Sequence, residues 1–151
     1  MEIERKFLVL HLPKDLGDYP HDTIEQGYLC TDPVVRVRRQ GESYVLTYKG
    51  PGLMVREEYN LPLNESGYAH LLAKADGTPI TKERYRIPFQ GHTIELDIFA
   101  KPFAPLVLAE VEFDTEEAAK AFTPPDWFGR EVTGDPAYTN ANLSRRACLE
   151  I

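Results

Sequence analysis

A chain of 151 residues that is 42% hydrophobic suits a single domain, 1–151, with one sizeable core, and a formal charge of −7 excludes partners held by a broadly basic surface, namely nucleic acid and anionic membranes. Cys30 and Cys148 lie far apart and join no Cys/His cluster, which excludes a disulfide framework and a thiolate zinc site. Residues Met1 to Leu10 alternate charge with apolar side chains and no later run is long enough to cross a bilayer, so the reading is a soluble, cytoplasmic protein, monomeric or homodimeric.

In chain order, residues 2–9 form the first predicted strand. Further strands are expected at 23–30, 34–40, 43–49 and 55–61. Thr31-Asp32-Pro33, Gln40-Gly41-Glu42 and Lys49-Gly50-Pro51-Gly52 between them suit short antiparallel connections. Asn64 is placed to cap a helix running to about Ala75 and ended by Asp76-Gly77. Strands resume at 80–88, at 92–99 across Gln90-Gly91-His92, and at 106–113. Asp114 with Glu117 has the spacing of a capping box ahead of Ala118, Ala119 and Phe122, and Asp135-Pro136 stands before a helical run from Tyr138 to Cys148. Eight strands with a few helices predict an α+β fold, an eight-stranded antiparallel β-barrel with helices packed outside, because closure removes unpaired edges.

Successive strand side chains point to opposite faces, so parity sorts each strand into two lists. One list collects Glu2, Glu4 and Lys6; Arg36 and Arg38; Thr47 and Lys49; Arg56, Glu58 and Asn60; Lys82, Arg84 and Arg86; Glu95 and Asp97; Glu110 and Glu112. The other is apolar: Ile3 and Phe7, Val35 and Val37, Tyr85 and Ile87, Ile94, Leu96 and Ile98, then Val107, Ala109, Val111 and Phe113. On one strand alone a charged face is simply the solvated side of an amphipathic sheet. Here acids and bases recur on seven of the eight strands. If helices cover the apolar face, the charged face becomes the barrel interior, wide enough for one small ligand. A lumen with both signs suits a polyphosphate with divalent cations: carboxylates are hard ligands for Mg²⁺ or Mn²⁺, and guanidinium and ammonium groups bind phosphate oxygens.

The segment Glu2-Ile3-Glu4-Arg5-Lys6-Phe7-Leu8-Val9 resembles the opening Glu-x-Glu-x-Lys signature of the CYTH domain, or triphosphate tunnel metalloenzyme, superfamily. The likeness continues through Arg36-Val37-Arg38, Leu46-Thr47-Tyr48-Lys49-Gly50, Glu57-Glu58-Tyr59-Asn60-Leu61-Pro62, Lys82-Glu83-Arg84-Tyr85, Glu95-Leu96-Asp97-Ile98-Phe99, Leu108-Ala109-Glu110-Val111-Glu112, and Glu131-Val132-Thr133 followed by Tyr138-x-Asn140.

The resemblance implies an eight-stranded triphosphate tunnel and metal-dependent hydrolysis of a phosphoanhydride, with Mg²⁺ or Mn²⁺ as cofactor and two ions during turnover. By position, Glu2, Glu4, Asp97, Glu110 and Glu112 correspond to the metal set, and Lys6, Arg36, Arg38, Lys49, Lys82 and Arg84 to the phosphate set. Glu4, Glu58, Lys49 and Asp97 are the catalytic candidates, Glu58 and Asp97 as further ligands or water-positioning groups. Where relatives often carry a second acid two positions after Glu58, this chain has Asn60. The opening motif is most similar to inorganic tripolyphosphatases, implying conversion of tripolyphosphate to diphosphate and phosphate. A class IV adenylate cyclase, a thiamine triphosphatase and a non-catalytic polyphosphate-binding module are the alternatives.

Among the remaining residues, His11, His21, His70 and His92 lack ligand spacing and are read as surface groups, and Trp127 and Phe128 as loop packing. Arg86 and Glu95 share inward parity and either face the ligand or pair with each other. Arg56 is left open between the same two roles.

Overall fold

The computed structural model describes residues 2–52 and 55–149; the side chains of residues 145–149, that of Cys148 included, lie outside what is described. Its strands are β1 (Glu2–Val9), β2 (His21–Thr31), β3 (Val34–Gln40), β4 (Ser43–Lys49), β5 (Val55–Arg56), β6 (Glu58–Pro62), β7 (Asp76–Phe89), β8 (His92–Phe99), β9 (Val107–Glu112) and β10 (Phe128–Glu131). The helices are α1 (Glu65–Leu72), α2 (Glu116–Ala121) and α3 (Asn140–Leu149). All pairings are antiparallel, in the order β10-β1-β9-β8-β7-β2-β3-β4-β6, while β5 pairs with β1.

This order nearly closes the sheet on itself. Segments β5 and β6 are two halves of the strand expected at 55–61, interrupted at Glu57, so the chain that pairs with β4 also reaches back to Glu2 and Ile3 of β1. Strand β10 borders β1 at Phe7 and Val9 and was not anticipated; its four residues carry no alternating pattern long enough to recognise.

Local chemistry sets the boundaries. Asn64 caps α1 as expected, its Oδ1 accepting from Gly67 N at 2.7 Å, but the helix stops at Leu72 and Asp76-Gly77 opens β7 instead of closing the helix. Asp76 gains a strand partner in Tyr28 across a bulge in β2. The cap of α2 is Thr115 rather than Asp114: its side chain accepts from Ala118 N, and with an alanine in that position the reciprocal half of a capping box has no side chain to form it. Asp135-Pro136 opens only a short 3₁₀ turn, Pro136–Tyr138, and α3 begins after Thr139, whose Oγ1 accepts from Asn142 N.

The apolar list forms the outer core. Phe7, Ile87, Ile94, Leu96, Ala109, Val111 and Phe113 pack with Ala119 of α2, with Phe122 just after it and with Phe128, each large buried side chain stabilising by ~1.5–3 kcal/mol. Phe7 and Phe128 have ring centroids 4.7 Å apart, and Trp127 packs on this cluster. Helix α1 covers β2 to β4 so closely that a Cβ on Gly27 would lie 2.8 Å from Leu72 Cδ1.

Helix α3 departs from the expectation that helices pack outside. Tyr28, Ile80, Phe99 and Leu108 share the inward parity of the charged list, yet they cluster with Val132, Ala141 and Leu143. One end of the lumen is therefore apolar and sealed by α3, because these strands exchange inward charges for apolar residues there. Ser144 Oγ donates to Thr78 O at 2.8 Å. Gly77, at φ 70°, is where the helix meets β7: a Cβ there would stand 2.7 Å from Ser144 O. Gly77→Ala combines a disfavoured backbone region with that clash and should destabilise by ~1–3 kcal/mol, read as a lower urea midpoint.

Candidate active site

Cross-strand register brings the charged list into rings. Glu4 stands opposite Glu112, Lys6 opposite Glu110, and Glu110 opposite Glu95 on the next strand. Arg84 faces Asp97, Arg36 faces Thr47, Thr47 faces Asn60, and Lys49 faces Glu58. These side chains surround a cavity of about 400 Å³, in the range of small-molecule sites.

Of the residues singled out from sequence, Glu2, Glu4, Lys6, Arg36, Arg38, Lys49, Glu58, Arg84, Glu110 and Glu112 line this cavity. Lys82 and Asp97 lie beneath it, essentially without solvent exposure. Asp97 has both oxygens engaged: Arg84 Nε and Nη2 donate to Oδ1 and Oδ2 at 2.7 and 2.8 Å, and Lys82 Nζ is 2.7 Å from Oδ2. Its geometry is that of a buried counter-ion holding two cations. Lys6 pairs with Glu110 at 3.5 Å, and Lys49 with Glu2 at 2.9 Å. Arg56 reaches Glu2 at 3.5 Å and lines the cavity. Arg86 and Glu95 are opposite in register but do not pair: Arg86 turns to Asp22 at 2.8 Å, and Glu95 meets Arg84 at 3.2 Å.

The pairings divide the acids. Burial would raise the Glu110 carboxyl, but Lys6, Arg84 and Lys82 outweigh it and hold it well below the usual range. Asp97 is held low against burial by Lys82 and Arg84. Glu58 is also held low, where hydrogen bonding to Glu2, the charge of Lys49 and a donor from Asn60 outweigh burial. Glu4 goes the other way: burial, then the charges of Glu110 and Glu2, push it up to about 8. At the rim, desolvation and the charges of Glu95, Glu2 and Glu58 push Glu112 up to about 7.

Among the described residues, neither Glu4 nor Glu112 has a basic partner within ion-pair distance. Oxygens of Glu2, Glu4 and Glu112 lie within 4.8 Å of one another. Converging hard oxygens that lack enough positive charge fit a divalent cation. The four histidines are not part of this cluster; His21 bonds Glu83 on the surface at 2.6 Å, and His92 packs edge-on against Phe113.

Several lining residues escaped the parity lists. Tyr28 comes from β2, whose expected span 23–30 has no charge of inward parity, and Thr133, Gly134, Asp135, Thr139 and Asn140 come from the segment entering α3. A run ending in Tyr138-x-Asn140 was the available signal, but no periodicity says that a segment so far along the chain folds back over the tunnel. Lys6 Nζ donates to Tyr138 O at 3.1 Å, tying that segment to β1.

Comparison with known proteins agrees with this arrangement. An inorganic triphosphatase of Nitrosomonas europaea is 43% identical over 148 residues, covering 95% of this chain and 96% of that protein. An inorganic triphosphatase of Acetivibrio thermocellus is 38% identical over 152 residues, covering 94% and 92%. The crystal structure of the inorganic triphosphatase NE1496 superposes with a TM-score of 0.71 at 40% identity, covering 95% of this chain and 94% of that one. The CYTH domain matches residues 1–143, and with its sheet curled around a charged cavity, this chain belongs to the CYTH domain family.

Proposed function

We propose that this protein hydrolyses inorganic triphosphate to diphosphate and phosphate. The observation that carries the reading is the pairing, in one cavity, of a carboxylate cluster short of positive charge with guanidinium groups short of negative charge. The triphosphatase relatives, alike over nearly the whole chain, support the same substrate.

Glu2, Glu4 and Glu112 would hold divalent metal, Mg²⁺ or Mn²⁺, with Glu110 beside them and room in the donor set for two ions during turnover. Bound metal would supply charge neutralisation on the phosphoryl chain and a more acidic water. Arg36, Arg38, Lys6 and Lys49 hold phosphate oxygens and spread the charge that accumulates as the bridging P–O bond breaks. Asp97 acts through Arg84 and Lys82, fixing both cations from below. Glu58, kept ionised, accepts a hydrogen bond from the attacking water and aims its oxygen at the terminal phosphorus. Diphosphate leaves with the former bridging oxygen, and the water's oxygen stays with the released phosphate.

Phosphate release should be greatest with inorganic triphosphate, compared with ATP and thiamine triphosphate, and should stop with chelator; equal or greater release from a nucleotide would move the substrate assignment. Glu4→Gln should lower turnover at least about 100-fold, or ~2.7 kcal/mol, with an unchanged circular dichroism spectrum.

Proton and metal compete for the same oxygens. With Glu4 and Glu112 holding protons up to about 8 and about 7, Mn²⁺ affinity by calorimetry should climb from about pH 6 and level off above about pH 8. Proton release on binding should shrink over the same interval. An affinity indifferent to pH would remove these two carboxylates from the ligand set.

A further inference from the structure

The cations of the cavity are held in two different ways. Lys6, Lys49 and Arg84 each have a carboxylate partner. Arg36 and Arg38 have none among the described residues and are held by neutral groups. Arg38 Nε donates to Gln26 Oε1 at 2.8 Å, and Arg36 Nη2 donates to Thr47 Oγ1 at 3.2 Å. Thr47 Oγ1 in turn donates to Asn60 Oδ1 at 2.6 Å, so the chain from Arg36 also ends on a neutral amide.

Gln26 is fully buried, directly opposite Arg38 in the β2–β3 register, and sits below the cavity wall. Its Nε2 has no hydrogen-bond partner, nor has Nε of the buried Arg36. A glutamate of the same shape would give Arg38 a two-oxygen partner and leave no orphaned donor, so stability alone would favour the acid at this position. An amide costs stability and leaves the guanidinium charge uncompensated.

On the triphosphate reading of this cavity, we infer that Gln26 is a positioning residue that aims Arg38 at the polyphosphate without neutralising it, so that the Arg38 charge acts on the anion even without metal. A guanidinium already paired with a carboxylate must share its donors and charge with that partner; an unpaired one gives all of both to the anion. Burial, with Arg36 and Arg84 adjacent, pulls the Arg38 guanidinium down to about 9, consistent with a cation awaiting a counter-charge. The Gln26 bond fixes Nε and leaves the two terminal nitrogens for the ligand.

The test is Gln26→Glu, read by calorimetric binding of inorganic tripolyphosphate in EDTA and by thermal melting. Expected are an affinity at least about tenfold weaker and a melting temperature higher than that of the parent, a combination that damage to the fold does not produce. Unchanged affinity, or weaker affinity with a lower melting temperature, would overturn the inference. Gln26→Met, which keeps the volume and removes the acceptor, covers the case in which the acid variant cannot be purified. It should bind tripolyphosphate more weakly than the parent without melting higher, and binding equal to the parent would overturn the positioning role. Because metal-free binding is the readout, a parent protein that binds tripolyphosphate but fails to cleave it would defeat the hydrolase proposal and leave this test intact.

Discussion

Arg36 is buried and Arg38 partly buried beside Arg84, neither with a carboxylate partner among the described residues, and that crowding of like charge is a free-energy cost the remaining structure must outweigh. The offset comes from the other face of the same strands. Ile94, Leu96, Ala109 and Val111 are without solvent exposure, and Phe7, Phe113, Phe122 and Phe128 make ring contacts around them. Strand alternation thus couples the two requirements: along β8 and β9 the inward acids alternate with outward apolar residues whose burial keeps the wall in place. A polyanion that binds the native wall and not the unfolded chain relieves the crowding and adds to stability.

Antiparallel register then decides which charges cancel. Lys6 against Glu110 and Arg84 against Asp97 are direct cross-strand partners, and both become ion pairs. Glu4 against Glu112 is a like-charge pair, and Gln26 against Arg38 and Arg36 against Thr47 pair a cation with a neutral group. A shift of one residue between β1 and β9 would turn this inner face outward and dissolve the acid cluster. Holding that register at its ends are the closure of β1 by β5, the Arg5 to Glu131 pair at 2.7 Å, and the docking of α3 on β7.

Asn60 shows how one neutral substitution redistributes such a network. Its amide donates to Glu58 at 3.2 Å and accepts from Thr47; an ionised acid at this position could still accept from Thr47 but could not donate to Glu58, and would face it as a second negative charge. The chain from Arg36 through Thr47 and Asn60 to Glu58 therefore links the cation proposed to hold phosphate to the acid proposed to orient water by hydrogen bonds alone.

The sequence by itself located eight strand segments of the barrel and, for seven of them, the two faces, because alternation is local and its period survives without knowledge of neighbours; β10 and the break at Glu57 were not legible in it. It also separated Glu4 and Arg36 from Phe7 and Val37 correctly, since parity depends only on position along a strand. What only the tertiary structure decided is depth and partnership. Asp97 and Lys82 have the same parity as Glu95 and Arg84, yet they lie under the cavity, because depth depends on how strands stagger around the barrel. Arg86 and Glu95 match in register and still choose other partners, since side-chain reach toward Asp22 and Arg84 is set in three dimensions. Gln26, Tyr28 and the segment before α3 carry no charge pattern to mark them: the β2–β3 register sets Gln26 and Tyr28 against Arg38 and Arg36, and the segment before α3 reaches the cavity because the chain folds back over one end of the tunnel.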